Sequence, residues 1–125
     1  MDPIEILMNE HGLIRSYLDN LKKAVVKLEN GEKPPRAFFE KAVAFSREFA
    51  DKFHHFKEEH LMFVRLATKK RGAVDAQIDA LRYQHERGRE LVTQIEGSLA
   101  GYGEGDSYKT SVLIESTAAY ISLLR

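Results

Sequence analysis

The sequence predicts an all-α protein, an antiparallel up-down-up-down four-helix bundle with a short or incomplete fourth helix. Three observations carry this. Apolar residues recur at helical spacing in four long stretches. Turn-forming residues separate those stretches: Asn30-Gly31, Pro34-Pro35, Gly72, and the trio Gly101, Gly103 and Gly105. Nowhere do apolar and polar residues alternate over the length of a strand. Helices of this length joined by short loops favour antiparallel neighbours.

The first helix opens on Asp2-Pro3-Ile4-Glu5, with Asp at the cap and Pro at the first helical position. Ile4, Leu7, His11, Ile14, Leu18, Leu21, Val25 and Leu28 form its stripe, and Asn30-Gly31 ends it. The second is expected from about Arg36 to Lys70, its stripe marked by Phe45, Phe49, Phe53, Phe56 and Phe63. Lys69, Lys70 and Arg71 suit the negative end of its dipole, with Gly72 as C-cap. The third is expected from about Val74 to Leu99, on Ile78, Leu81, His85, Val92, Ile95 and Leu99. The three glycines then read as a flexible loop, and Asp106 or Ser107 as the cap of a fourth helix from Tyr108. That helix is still running at Arg125, so the chain reads as cut rather than finished.

A chain of 125 residues is expected to be one domain spanning 1–125. Nineteen basic residues cancel nineteen acidic ones, which argues against a nucleic-acid partner. The sequence has no long uncharged apolar run and no secretory leader, so neither a membrane span nor export is expected, and the protein is read as cytoplasmic. With no cysteine, disulfides, thiolate ligands and cysteine nucleophiles are excluded. Any bound metal must be held by nitrogen and oxygen. No Ser–His–Asp arrangement or phosphate-cradling loop is visible, and turnover is not assigned.

The five histidines carry the chemistry. His11 and His85 lie on the apolar stripes of the first and third helices; His54, His55 and His60 lie in the second. A lone histidine on an apolar face is more often a satisfied core residue than a ligand. Two on different helices, each near mid-helix, shift those odds, because a buried imidazole needs partners for both nitrogens. In the second helix His54 with Glu58, and His55 with Glu59, both have the one-turn spacing. Uniform helical periodicity places His55 and Glu59 beside the phenylalanine stripe, His60 on it, and His54 with Glu58 nearly opposite. Periodicity alone therefore favours His55 and Glu59.

These segments resemble those of the hemerythrin-like, or HHE cation-binding, domains. Ile6 to Ile14 is similar to their opening helix. His54 to Phe63 is similar to their His-x-x-x-Glu-Glu-x-x-Leu-Phe motif, with Met62 in place of Leu. Gln84-His85-Glu86-Arg87-Gly88-Arg89 is similar to Glu-His-Glu-x-Gly-Arg, with Gln84 in place of the first Glu, and Tyr120 to Arg125 to the run before their last motif. The resemblance implies a four-helix bundle around a non-haem di-iron centre. It makes His11, His54, Glu58 and His85 metal ligands, with His55 and Glu59 as alternates. It prefers His54 and Glu58 against the periodicity argument, and a helix irregularity near the site would reconcile the two.

The family's fourth helix supplies a further His-x-x-x-acid pair, which this sequence lacks. The remaining donors hold one metal ion, or two with water or a neighbouring chain completing the shell. The expected function is iron binding coupled to binding or sensing a small diatomic ligand, dioxygen or nitric oxide, or to iron storage. Homo-oligomer formation, by pairing of the open fourth helix, is compatible with this. The alternative is a metal-free helical interaction domain. A ferritin-like carboxylate oxidase would need Glu-x-x-His on two helices.

Overall fold

A computed structural model describes the backbone of residues 3–67 and 71–125, with the side chains in that span except those of residues 3–11, 49–51, 53–56 and 71. The order is α1 (Pro3–Glu29), α2 (Arg36–Phe45), a π-helical turn (Ser46–Ala50), α3 (Asp51–Ala67), α4 (Arg71–Gly103) and α5 (Ser107–Leu124). The described residues contain no strand. Because the π turn joins α2 to α3 without a break, the two form one leg, and the molecule is the expected antiparallel bundle of four legs. α4 packs against α5 and the α2–α3 leg, while α1 packs against α5 and α3.

The expected stripes of α1 and α4 are found over their described apolar residues; the side chains of Ile4, Leu7 and His11 lie outside the described residues. Ile14, Leu18, Leu21, Val25 and Leu28 are buried on α1, as are Val74, Ile78, Leu81, Val92, Ile95 and Leu99 on α4. Both glycine-closed helix ends have a physical basis. Gly31 and Gly105 have φ of 81° and 82°, which only glycine adopts without strain. After Gly31, Glu32 N–H returns to the Lys27 carbonyl at 2.9 Å; after Gly105, Asp106 N–H returns to that of Gly101 at 2.9 Å. Both are Schellman closures. Asp106 caps α5, accepting from the Tyr108 and Lys109 N–H groups at 2.9 and 3.2 Å.

Four expectations change. α4 is longer than expected and runs through Gly101 and Gly103. Gly101 is there for close approach: a Cβ at that position would lie 2.3 Å from Lys109 Cγ. Gly72 lies in the first turn of α4 rather than capping the preceding leg. At its two described members, Phe45 and Phe63, the phenylalanine stripe does not mark the buried face of the second leg. Its buried residues at the start are Phe39, Ala42, Val43 and Ser46, whereas Phe45 is half-buried and Phe63 is 71% exposed. His60, expected on the stripe, is exposed. The Asp2 cap, Lys69 and Lys70, and the side chains of Phe49, Phe53 and Phe56 lie outside the described residues.

Phe45 is off the buried face even before the π turn, and the turn then moves that face along the leg. The turn inserts one extra residue into the helical repeat and rotates everything after it by about one position. Uniform α spacing from Ser46 would carry the inward face to Phe53 and Lys57. One position later it passes through Glu58, Leu61 and Arg65. Glu58, Leu61 and Arg65 are half-buried, while Lys57, Glu59 and Met62 are exposed.

Candidate metal centre

The hydrophobic core fills the end of the bundle where α1 and α4 finish and α2 and α5 begin. The candidate ligands all belong to the opposite end. Two ion pairs set the antiparallel register there. Arg65 Nε meets Asp75 Oδ1 at 2.5 Å, and Arg82 Nε meets Glu58 Oε1 at 3.1 Å. Seven residues back along α3 therefore match seven forward along α4. Continuing in this register, position 55 comes level with His85 and position 54 with Glu86.

His85 occupies a distinctive place in α4. Along the series Val74, Ile78, Leu81, His85, Gly88, Val92, Ile95 and Leu99, only His85 is half-buried rather than buried. The apolar interior opens at that one position, at an imidazole. Beside it lies a groove of about 510 Å³ between Leu61 of α3, Leu81 and Gln84 of α4, and Leu123 of α5. Glu58 has a side chain 30% exposed, on the inward face of α3 one turn from Leu61. Glu59 points to the exposed side of the same helix. Periodicity placed Glu59 inward because it took the phenylalanines as the inward face, whereas the buried face before the π turn is that of Phe39, Ala42, Val43 and Ser46.

His11, His54 and His55 lie on helical backbone, but their side chains fall outside the described residues. Among the described residues no three His, Asp or Glu side chains form a metal-sized group. The donor chemistry of the described part, one imidazole and one carboxylate on facing helices about one helical turn apart in level, is of the nitrogen and oxygen kind that a cation takes.

A family model, the hemerythrin HHE cation binding domain, matches residues 2–125. The chain belongs to this family. This HHE domain is also similar to uncharacterized proteins of Mycobacterium bovis and Mycobacterium tuberculosis, 26% identical over 119 residues that make up 95% of the chain and 46% of theirs. It therefore spans about half the length of the curated relatives it matches. No solved structure matches it. Among its described residues no helix is long and apolar enough to cross a membrane.

Gln84, the departure from the family's third-helix motif, has a structural role. Its Nε2 donates to the Leu123 carbonyl at 2.6 Å. That carbonyl is one of the last four of α5, which have no intrahelical donor. A glutamate has no N–H to give and would set negative charge against the negative end of the α5 dipole. Gln84→Glu is expected to lower stability by about 1–2 kcal/mol, and urea midpoints of the two proteins check it.

Proposed function

We propose that this HHE domain binds non-haem iron through His11, His54, Glu58 and His85, with His55 and Glu59 as alternates, and uses it to bind or sense a small diatomic ligand such as dioxygen or nitric oxide. The observation that carries the reading is the placement of Glu58: a half-buried carboxylate on the inward face of α3, one turn from position 54 and close in level to His85. Iron bound there would supply an open coordination position for a diatomic ligand. The chain's residues would neutralise and orient it. The Glu58 carboxylate provides negative charge, the neutral imidazoles of His85, His11 and His54 provide nitrogen donors, and Leu61 and Leu81 border the adjoining groove with apolar surface. In the described structure Arg82 is the cationic partner of Glu58, so a metal ion must compete with it for the carboxylate.

The test is anaerobic loading with ferrous iron followed by measurement of metal per chain. His85→Ala is expected to weaken binding far more than His60→Ala, because His60 is exposed. Equal losses would mean that the site is misassigned. Acid should release the metal, since imidazole must be neutral to coordinate: retention is expected to fall below about pH 6.5. Retention that stays flat down to about pH 4, well below that value, would exclude histidine ligation. No iron in the native chain after anaerobic loading would favour the metal-free interaction domain.

A further inference from the structure

The π turn decides which residues of α3 face inward, so whatever holds that turn controls the centre. A π turn is a rare interruption of a helix and persists only when its surroundings fix it. Here the surroundings converge on one side chain of α1. The Tyr17 hydroxyl donates to the Ala42 carbonyl at 2.8 Å. A phenol has a single proton, so the short contact between the Tyr17 oxygen and the Ser46 hydroxyl must be donated by Ser46. The Tyr17 ring packs on Phe45, with centroids 4.5 Å apart. Tyr17 thus touches Ala42, Phe45 and Ser46, the residues that lead into and begin the turn. Burial pushes its phenol above the ordinary tyrosine value, opposed by the Ser46 hydrogen bond, so the hydroxyl remains protonated across the physiological range. On the outer side Arg47 makes two bonds to Glu96 of α4, at 2.6 and 2.9 Å. That pair is exposed and screened by salt; the Ser46 contact is buried and is not.

We propose that Tyr17 is a positioning residue for the metal centre: by gripping Ala42 and Ser46 it holds the one-residue register shift that places Glu58 on the inward face. The inference rests on the iron-binding reading above, and Tyr17 acts without touching the metal. The consequence of losing the grip follows from helix geometry. If the π turn relaxes to α spacing, the inward position returns from Glu58 to Lys57. An ammonium then stands where the carboxylate stood.

Tyr17→Phe keeps the ring on Phe45 and removes only the hydroxyl. Tyr102→Phe is the matched control, because the Tyr102 hydroxyl also bridges to a backbone carbonyl, that of Pro34 at 2.5 Å, at the other end of the bundle. Tyr17→Phe is expected to weaken ferrous iron binding by about 10-fold or more, the range seen when a group that orients a metal ligand is removed. Ser46→Ala should act in the same direction. Tyr102→Phe should lower the melting temperature comparably and leave iron affinity unchanged. Native affinity in Tyr17→Phe, or an equal loss in Tyr102→Phe, overturns the proposal. Backbone hydrogen exchange on the metal-free proteins gives a reading independent of iron. Residues 46–58 should exchange faster in Tyr17→Phe alone, and unchanged protection there also overturns the proposal. If the native chain binds no iron, the metal reading falls, and the exchange comparison still decides the role of Tyr17.

Discussion

Phe39→Ala is expected to destabilise the protein by about 3–5 kcal/mol, the range for truncating a fully buried phenylalanine. Phe39 has no exposed surface, and its ring meets the edges of Phe38 and Tyr102 at 5.2 and 5.5 Å. It sits in the first turn of α2, where the chain has just turned through Pro34 and Pro35 and where α2 packs on α4. Removing it leaves a cavity that three rigid helix ends cannot close. It also frees Tyr102, whose hydroxyl holds the Pro34 carbonyl and so fixes the path of the α1–α2 connection. For a domain of this size the loss amounts to about 10–20 °C in Tm. Since small domains are stable by only about 5–15 kcal/mol, the variant should be partly unfolded in mild urea. Urea denaturation with an unchanged slope measures it. A loss below about 1 kcal/mol, less than the usual range for such truncations, would mean that the α2–α4 contact is looser than described.

The second large effect is expected at the metal centre. Glu58→Gln preserves shape and removes the negative charge, whereas Glu59→Gln makes the same change one residue further on, at an exposed position. A ligand carboxylate supplies both a donor atom and charge against a divalent ion. Its loss should exceed the roughly 10–100-fold effect of removing a residue that only orients a ligand. Glu59→Gln should leave ferrous iron affinity within about two-fold of native, as expected for a surface charge screened by solvent. The reverse order of effects would place Glu59 in the shell and would mean that the α3 register differs in solution. The Arg82 pair sharpens the comparison. Arg82→Leu should raise iron affinity modestly by removing the competing cation, provided that Glu58 is the ligand. Isothermal titration under anaerobic conditions reads all three variants.

Local chemistry made most of the architecture legible in the sequence. The stripes of α1 and α4 follow a 3.6-residue repeat that burial enforces, and every described member except His85 is buried. Asn30-Gly31 and Asp106 end and begin helices because a positive φ and unpaired N–H groups require those residue types. Absence of cysteine and the ordered histidine motifs restricted the chemistry to nitrogen and oxygen ligation. The register of the second leg was different. Composition alone favoured the phenylalanines, because large apolar residues at helical spacing usually mark the buried face. Tertiary contacts chose Phe39, Ala42, Val43 and Ser46 instead, and left Phe63 in solvent. A π turn has no local sequence signature, because it is stabilised by what packs against it: here the Tyr17 hydroxyl, twenty-five residues from Ala42 in sequence. The sequence by itself therefore determined which elements form and limited any metal ligands to nitrogen and oxygen donors. Only the tertiary structure decided that Glu58 rather than Lys57 or Glu59 faces inward, because the buried face of the leg and the one-residue shift along it are set by contacts between helices and not within one.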